Sequence, residues 1–371
     1  MHIKHLELQN FRNYSFFDIE FTPKVNIIYG NNGQGKTNLL ESIYVLAQTK
    51  SHRAYIDDNL IKTNESKAVL KGTILTDLSY NLELSIGKSV KKAKIDGENV
   101  KTIASYIAKT NVIIFSSEDL DLIKGGPAGR RKYLNLEISQ LSANYYSALS
   151  DFNKLLKMRN DYLKKINNNE IVDQNYFQIL TDYLINKSVF LIQMRHTFVE
   201  KLNEYISKIF EDITQIPGFN LKYKPSGGID SFDKNDIKAT LEKRFKENYE
   251  KEVILKTTIS GPHRDDFSFN IEEDDLREFG SQGQQKVAVI ALKLSEIEIF
   301  KDYKKQNPII LLDDVFSDLD NIKKNNLLKH IDDKMQVIIT TTDLKTINKQ
   351  LLENANLIHI DKGKILENEV A

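Results

Sequence analysis

One short segment constrains the fold of this chain more than any other part of its sequence. Residues 30–37 read Gly-Asn-Asn-Gly-Gln-Gly-Lys-Thr and match the phosphate-loop pattern G-x-x-x-x-G-K-[ST]. The apolar run Val25–Tyr29 precedes the motif, and an amphipathic stretch from Thr37 to about Ala47 follows it. A buried strand, a glycine-rich turn and a helix in this order predict an α/β domain built on a parallel or mixed sheet.

The same segment predicts a binding site for nucleotide phosphates. Glycines let the backbone wrap so that its N–H groups face an anion, and the N-terminus of the following helix adds its dipole. Lys36 would supply a positive charge that also serves catalysis, and the Thr37 hydroxyl would be a ligand of Mg²⁺. The alternative is a glycine-rich turn with a surface lysine. We expect ATP and Mg²⁺ here, bound by Gly30, Asn31, Asn32, Gly33, Gln34, Gly35, Lys36 and Thr37.

Two adjacent acids end a second apolar run, which has the form of a Walker B strand. Residues 309–314 read Ile-Ile-Leu-Leu-Asp-Asp. Ligands of doubly wound sheets bind at the carboxyl ends of the strands. Asp313 is therefore predicted to hold Mg²⁺, directly or through water, and Asp314 to orient or deprotonate the attacking water. An acid-capped strand exit is the alternative, which the phosphate loop upstream disfavours.

A third segment resembles the Ser-x-Gly-Gln signature of ABC-type ATPases. Residues 279–285 read Phe-Gly-Ser-Gln-Gly-Gln-Gln and precede a helical stretch. A serine hydroxyl, a glycine and the N–H groups of a helix start form another anion site. With one phosphate loop and one signature per chain, we expect a sandwich of two chains. Ser281, Gly283 and Gln284 of one copy would cover the γ-phosphate held by the other, and Ser281 would serve catalysis. A capped helix after a Gly-Ser turn is the alternative.

Two further segments bear on the reaction. Asp318-Leu319-Asp320 resembles the D-loop of the same superfamily, which lies near the dimer axis. Residues 340–343 read Thr-Thr-Thr-Asp, where the superfamily usually has a switch histidine, and no histidine is present. A threonine at this place can hydrogen-bond the γ-phosphate. The second acid is Asp314 where most of the superfamily has glutamate, and its shorter reach predicts slow hydrolysis.

The remaining pattern divides the chain into a head and an inserted helical arm. The first third alternates apolar and polar residues as antiparallel strands do, and Val112–Phe115 is another buried strand. Gly125-Gly126-Pro127 marks a boundary. Helical spacing then runs from Tyr133 to Ile166 and from Leu180 to Ile209. The predicted parts are 1–124, the N-terminal part of the head; 125–254, the arm; and 255–371, the C-terminal part with signature, Walker B and D-loop.

Composition excludes several classes of protein. The 371 residues include 52 basic and 52 acidic side chains and no cysteine. The chain therefore has no disulfides, cysteine-ligated zinc or thiol catalysis, and a uniformly basic nucleic-acid surface is disfavoured. We find no apolar run long enough for a membrane span and no signal peptide, so we expect a cytoplasmic protein without a membrane partner. Local basic clusters remain candidates for DNA contact: residues 50–53, 88–94 and 130–132, and the arm side chains Lys154, Lys157, Arg159, Lys164 and Lys165.

Spacing and motif order together point to one family. Lys36 and Ser281 are 245 residues apart, more than we expect for a transporter ATPase and less than the long coiled coil of an SMC protein would need. In order along essentially the whole chain, several segments resemble the RecF recombination-mediator family of bacteria. They are residues 8–14 (Leu-Gln-Asn-Phe-Arg-Asn-Tyr), the phosphate loop, 115–120 running into 125–131, 260–266 (Ser-Gly-Pro-His-Arg-Asp-Asp) and 281–285.

This resemblance implies both a fold and an activity. The fold would be α/β, an ABC-type P-loop ATPase head with a mixed sheet, an antiparallel β subdomain and an inserted helical arm. The activity would be that of a weak ATPase, associated with the nucleoid, that forms an ATP-dependent homodimer. It would bind double-stranded DNA and junctions of single and double strands. RecO and RecR would be its partners in loading RecA at gaps and stalled forks, with hydrolysis opening the dimer to release DNA. Another SMC-like or OLD-like DNA ATPase is the nearest alternative, and a transporter subunit or an inactive structural protein are more distant ones.

Further site residues follow from the resemblance alone. Arg12 and Asn13 lie in a loop that approaches the nucleotide in related heads, with a surface ion pair as the alternative for Arg12. Glu118 stands where relatives have the glutamine of the Q-loop, so it is a candidate Mg²⁺ contact, with a helix cap as its alternative. His263 and Arg264 are expected to border the signature, and a purely structural histidine is the alternative for His263.

Overall fold

The chain divides into two compact units in its structure, a computed structural model. This model describes residues 1–366 except 55, 89, 318–323, 325–326, 328, 330, 332–333 and 348. The first unit comprises Met1–Leu120, Asp212–Gln215 and Lys286–Ala371. The second comprises Asp121–Glu211 and Ile216–Gln285. The predicted D-loop, Asp318–Asp320, lies outside the described residues.

This division differs from the predicted domain limits at one of the two boundaries. The first unit's N-terminal segment ends at Leu120, close to the predicted limit at 124. Residues 255–285, which we assigned to the C-terminal part of the head, lie in the second unit. That unit also contains a small sheet, so it is not purely helical.

The helices and strands follow one another as α/β and helical segments. The N-terminal segment contains β1 (His2–Phe11), β2 (Tyr14–Glu20), β3 (Val25–Tyr29), α1 (Lys36–Gln48), β4 (Lys67–Leu75), β5 (Ser79–Gly87), β6 (Val90–Ile95), β7 (Glu98–Asn99), α2 (Ile103–Ile107) and β8 (Val112–Ser116). The middle segment contains α3 (Asp121–Lys124), α4 (Pro127–Leu141), α5 (Ala143–Asn167), α6 (Gln174–Thr214), β9 (Phe219–Lys224), α7 (Lys234–Glu247), α8 (Tyr249–Leu255), β10 (Asp266–Ile271), β11 (Asp274–Asp275) and α9 (Leu276–Phe279). The last segment contains α10 (Gln282–Lys304), β12 (Ile309–Asp313), β13 (Val337–Thr341), α11 (Lys349–Glu353), β14 (Asn356–Asp361) and β15 (Lys364–Leu366).

The first sheet of unit 1 is antiparallel, as the alternating pattern predicts. Its strand order is β2-β1-β4-β5-β6-β7. Leu6 and Leu70 on its inner face are fully buried in a core that also includes α1. On the outer face, Lys71 Nζ lies 2.8 Å from a carboxylate oxygen of Glu7 on the neighbouring strand. One face is therefore apolar and the other is wetted, which accounts for the period of two.

The central sheet of unit 1 is parallel except for its last strand. Its order is β15-β14-β3-β13-β12-β8, and only β15 pairs antiparallel. The register sets Asp313 beside Thr340 on one side and Ser116 on the other, and Thr341 beside Tyr29. The ends of β3, β13, β12 and β8 thus share one edge, where a doubly wound sheet binds its ligand. The phosphate loop and the acid pair both leave the sheet at this edge.

The helices α5 and α6 of unit 2 run antiparallel, as predicted. Asp151 pairs with Lys187 at 2.8 Å, and the rings of Tyr162 and Tyr176 lie 5.4 Å apart, so early residues of one helix meet late residues of the other. In the described part of the chain, no helix is both long and apolar enough to cross a membrane.

The predicted helix from Tyr133 to Ile166 is two helices, so its continuity was wrong. Ser142 has extended backbone angles, φ −136° and ψ 108°, between α4 and α5. Its hydroxyl oxygen accepts a hydrogen bond from the Tyr145 N–H at 3.2 Å. A serine is a favourable N-cap, so it ends one helix and starts the next where periodicity alone shows no interruption.

A buried arginine organises the interior of unit 2. Arg195, on α6, is 2% exposed. Its Nη1 donates to Asp265 Oδ2 at 2.9 Å and to the Pro262 carbonyl at 2.5 Å, and its Nε lies 3.0 Å from the Tyr145 hydroxyl. Tyr223 donates its hydroxyl to the same Asp265 oxygen. Burial raises the pKa of Tyr145 and of Tyr223, so both hydroxyls keep their protons at neutral pH.

His263 belongs to the same interior and fits its structural alternative. Its Nε2 lies 3.0 Å from the Thr258 carbonyl oxygen, and its ring lies 5.8 Å from that of Phe152. Burial lowers its pKa, which keeps the ring neutral. Arg264, the next residue, is exposed. The Gly-Pro-His-Arg-Asp-Asp motif therefore supplies internal contacts of unit 2, mainly through Asp265 and His263.

Candidate nucleotide site

The phosphate loop joins the carboxyl end of β3 to the N-terminus of α1. Gly35, the residue before α1, has φ 109°. Within the described structure no side chain caps this helix, and its first turn holds no acidic residue. The first N–H groups of any α-helix lack an intrahelical partner, so here they are left for an anion at the positive end of the dipole. Asn31, Asn32 and Gly33 form the exposed outer part of the loop.

Lys36 crosses the loop from the inside. Its Nζ donates to the carbonyl oxygens of Gly30 at 2.8 Å and Asn31 at 2.9 Å. An ammonium group has three N–H donors, so one remains for a phosphate oxygen. Burial lowers the pKa of Lys36, while the nearby Asp314 and Asp313 raise it. The side chain both shapes the loop and brings a positive charge to its concave side.

Two glycines allow neighbouring groups to approach the loop closely. Gly30 has φ 149°, and a Cβ atom there would lie 2.2 Å from the carbonyl oxygen of Ile360 in β14. A Cβ atom on Gly35 would lie 2.6 Å from Asn13 Nδ2 and 2.7 Å from the Tyr14 hydroxyl. Both positions therefore require glycine for its backbone freedom and for its lack of a side chain.

The contact at Gly30 gives a stability prediction. We expect Gly30→Ala to destabilise the nucleotide-free protein by about 2–4 kcal/mol, because strain and a backbone clash add together. Gly33→Ala is the control: it has φ 78° but open space around its Cβ position. We expect that change to cost about 1–2 kcal/mol, from strain alone. Urea unfolding of both variants measures the difference, and equal losses would refute the role given to the Ile360 carbonyl.

The acid pair meets the phosphate loop at the shared sheet edge. Asp313 Oδ1 accepts the hydroxyls of Thr37 at 2.9 Å and Thr340 at 2.7 Å. Burial raises the pKa of Asp313, and these two hydroxyls lower it again in part. Asp314 is exposed and has φ 53°, a left-handed conformation uncommon for residues other than glycine. Such strained residues cluster at functional sites.

The donor set at this edge suits one kind of cation. Thr37 and Asp313 offer hydroxyl and carboxylate oxygens, which are hard ligands. Across the described residues there is no group of three or more histidine, aspartate or glutamate side chains that could hold a metal ion. A cation bound here must take its other ligands from phosphate oxygens and water. Mg²⁺ binds in this way, so the residues fit Mg²⁺ that arrives with a nucleotide.

Arg12 forms the ion pair that we considered as its alternative. Its Nε and Nη2 donate to the two oxygens of Glu41 on α1 at 2.9 and 2.8 Å, and its Nη1 donates to the Asn59 carbonyl at 2.7 Å. Burial alone would raise the pKa of Glu41, but the hydrogen bonds from Arg12 and Ser51 lower it below its usual value. Arg12 thereby fixes the β1–β2 turn to the phosphate-loop helix. Its contact with a nucleotide stays a prediction.

Two other residues implied by the resemblance lie close to the site. Asn13 Oδ1 accepts a hydrogen bond from Asn38 Nδ2 on α1 at 2.7 Å, so Asn13 borders the loop. Glu118 accepts a hydrogen bond from Arg53 Nε at 2.9 Å. The Glu118 carboxylate is thus paired with a cation of the chain itself. Its contact with Mg²⁺ also stays a prediction.

The signature segment begins α10 with a reciprocal cap. Ser281 Oγ accepts a hydrogen bond from the Gln284 N–H at 3.2 Å, and Gln284 Oε1 accepts one from the Ser281 N–H at 2.8 Å. This capping box is the alternative that we considered. It uses a lone pair of the serine oxygen and leaves the hydroxyl proton to be donated elsewhere. A Cβ atom on Gly283 would meet nothing closer than that oxygen, at 3.9 Å.

Sequence reasoning did not find a polar groove beside the phosphate loop. The groove has a volume of about 690 Å³ and includes Arg12, Asp58, Lys62, Glu65 and Lys88 in its walls. These residues come from the β1–β2 turn, the segment before β4 and the β5–β6 turn, so no single motif marks them. Because Asn13 touches α1 and Arg12 lines the groove, the groove begins one residue away from the loop.

The structure separates buried from exposed members of the predicted basic clusters. Arg159 is 1% exposed and pairs with Glu252 at 2.7 Å, and Arg130 is 4% exposed and pairs with Asp266 at 2.6 Å. Their guanidinium groups serve packing inside unit 2, so we withdraw them as DNA contacts. The lysines that remain exposed are Lys88, Lys92, Lys154, Lys157, Lys164 and Lys165.

Comparison with known sequences identifies relatives along the whole chain. Residues 2–102 match the family model of the RecF/RecN/SMC N terminal domain. The chain is 37% identical to the DNA replication and repair protein RecF of Ligilactobacillus salivarius over 371 residues, which cover 99% of this chain and 98% of the relative. It is 38% identical to the protein of the same name in Bacillus mycoides over 368 residues, 98% of each chain.

Solved structures give the same result for the fold. The structure of the recombination mediator protein RecF with ATP aligns with a TM-score of 0.90 at 32% identity, covering 98% of this chain and 97% of that one. An Smc head bound to the C-winged helix domain of ScpA aligns with a TM-score of 0.53 at 17% identity, covering 100% and 98%, which is a likeness of fold alone. The predicted ABC-type ATPase fold is thereby confirmed, and the chain belongs to the RecF family.

Proposed function

We propose that this chain is an ATP-dependent DNA-binding protein of recombinational repair with a weak, Mg²⁺-dependent ATPase activity. One observation carries the proposal. The hydroxyl of Thr37 lies 2.9 Å from the carboxylate of Asp313, although 276 residues separate them. This contact joins a phosphate loop to an acid at the end of a parallel strand, as nucleotide hydrolysis requires. The names of the relatives and the solved structure of RecF with ATP support the proposal.

The phosphates of ATP would lie against the loop from Gly30 to Gly35. The N–H groups at the start of α1 would face the β- and γ-phosphates, and Lys36 Nζ would add its charge. Thr37 and Asp313 would hold Mg²⁺, which neutralises phosphate charge when bound. The groove beside Arg12 and Asn13 is our proposed place for the nucleoside half, since it begins next to the loop.

Hydrolysis would draw on both acids and on a second copy of the chain. Asp314 follows the Mg²⁺ ligand directly, and its exposed carboxylate would orient or deprotonate the attacking water. Lys36 would stabilise the charge that develops on the γ-phosphate. Ser281 of a second copy would donate its hydroxyl proton from the opposite side, assisted by the N–H groups near Gly283 and Gln284.

DNA binding would depend on pairing of two chains, because a single chain has no net charge. Two copies clamped on two ATP molecules would bring their exposed lysines along one duplex. Phosphate contacts of this kind give affinity that falls with salt and does not depend on sequence. RecO and RecR would be its partners in loading RecA, in the cytoplasm at the nucleoid, and hydrolysis would time the release of DNA.

Measuring the mass of the protein in solution tests this proposal. Light scattering would be recorded with and without ATP and Mg²⁺, and with and without a short duplex, for the wild type and for Lys36→Met. We expect a dimer of the wild type only with ATP, and a monomer of the variant throughout. A wild-type monomer under every condition would refute the clamp.

A further inference from the structure

Thr340 contacts both acids of the site, although neither lies near it in sequence. It belongs to β13, stands opposite Asp313 in the parallel register and is 1% exposed. Its Oγ1 lies 2.7 Å from Asp313 Oδ1 and 3.5 Å from the Leu312 carbonyl oxygen. A hydroxyl has one proton to donate, and the shorter contact to the carboxylate is the stronger one.

The hydroxyls of Thr340 and Thr37 converge on the same carboxylate oxygen. Thr37 Oγ1 lies 2.9 Å from Asp313 Oδ1, the oxygen that Thr340 also contacts. Two donors on one oxygen fix the rotation of the carboxylate about its terminal bond. The second oxygen, Oδ2, is then held toward the remaining side, where a cation can bind it. Groups that orient a metal ligand in this way affect metal affinity strongly.

The same threonine also fixes the backbone of Asp314. The Asp314 N–H lies 3.1 Å from Thr340 Oγ1 and 3.2 Å from the Thr340 carbonyl oxygen. Asp314 has φ 53°, a strained conformation that persists only when its surroundings enforce it. Both acceptors for its N–H come from Thr340. The threonine therefore determines where the chain turns as it leaves β12, and with it the place of the Asp314 side chain.

We propose that Thr340 is a positioning residue for the Mg²⁺ ligand Asp313 and for Asp314, rather than a γ-phosphate contact. This inference rests on the proposed ATPase function. It changes the expectation from sequence, where this threonine stood in for the missing switch histidine. Its hydroxyl proton is engaged by Asp313 and its lone pair by the Asp314 N–H, so both of its hydrogen-bonding capacities serve the acids.

A valine substitution tests the proposal with little change of shape. Thr340→Val removes the hydroxyl, Thr340→Ser restores it, and Thr341→Val is the matched control. Thr341 follows on the same strand and is fully buried, but its hydroxyl donates to the Asp343 carbonyl at 3.0 Å. Two quantities would be measured: the Mg²⁺ concentration that gives half-maximal ATP hydrolysis, and the rise in melting temperature caused by a non-hydrolysable ATP analogue with and without Mg²⁺.

We expect Thr340→Val to need about 10-fold or more Mg²⁺ and to lose the part of the melting-temperature rise that depends on Mg²⁺. The rise caused by the analogue alone should stay, because the phosphate loop is intact. Thr340→Ser should lie within about threefold of wild type, and Thr341→Val should have the wild-type Mg²⁺ requirement. If Thr340→Val does not fold, Thr340→Ala and Thr340→Ser are compared in the same assays. Equal Mg²⁺ dependence in Thr340→Val and Thr341→Val, or in Thr340→Ala and Thr340→Ser, would refute the positioning role while leaving the ATPase proposal intact. A wild-type protein that neither hydrolyses ATP nor responds to the analogue would refute the proposed function itself.

Discussion

Lys36→Met is expected to lower kcat/KM for ATP hydrolysis by about 100-fold or more. The ammonium group is the positive charge that the loop brings to the phosphates, and no other residue reaches the carbonyl oxygens of Gly30 and Asn31 from the same position. Methionine keeps the length of the side chain and removes the charge and the donors. The measurement is steady-state hydrolysis, together with ATP affinity from a fluorescent analogue.

The folded state should change much less than the activity. Removing a buried ammonium group relieves its desolvation, which offsets the loss of two hydrogen bonds, so we expect unfolding free energies within about 1 kcal/mol of wild type. Lys24→Met is the control: Lys24 is exposed just before β3 and should keep full activity. Hydrolysis at the wild-type rate by Lys36→Met would contradict the assignment of the phosphate loop.

Arg195→Met is expected to destabilise unit 2 by about 3–5 kcal/mol. The substitution leaves the carboxylate of Asp265 buried without its cation, and it removes donors to the Pro262 carbonyl and to Asn135. Breaking one side of a buried ion pair is far more costly than the pair is worth, because the remaining charge keeps its desolvation penalty. Urea unfolding followed by helical circular dichroism measures the loss.

An exposed arginine in the same unit provides the comparison. Arg277, on α9, is exposed, and its substitution by methionine should change stability by less than about 0.5 kcal/mol. Arg195→Met and Asp265→Asn should also be strongly non-additive, because each removes the same pair. If Arg195→Met were as stable as Arg277→Met, the motif around Asp265 would need another explanation.

The parts of the site that sequence predicted are those in which a local pattern determines local structure. The phosphate loop is contiguous, and its glycines, lysine and threonine adopt the expected strand–turn–helix arrangement. The strand that ends at Asp313 was recognisable because a fully buried parallel strand is apolar throughout. Since carboxyl ends of parallel strands share an edge, their approach in space followed from the fold class.

The rest depended on contacts that no local pattern encodes. Thr340 reaches Asp313 only because β13 lies between β3 and β12, a strand order that the sequence does not state. Arg12 turned to Glu41, which is one charged residue among many in a helix pattern. Arg159 was predicted as a surface cation, since a charged residue in a helical stretch is usually solvated. Its burial depends on Glu252, which lies 93 residues away.

The most direct test of the central claim is the affinity for a short DNA duplex with and without ATP. Fluorescence anisotropy would be measured with ATP and Mg²⁺ present and absent, at low and at moderate salt, for the wild type and for Lys36→Met. We expect ATP to strengthen binding of the wild type by about 10-fold or more, as linked ligand sites do. The affinity should fall steeply with salt, and Lys36→Met should show no response to ATP. Equal affinity with and without ATP, or binding that salt does not weaken, would contradict the account.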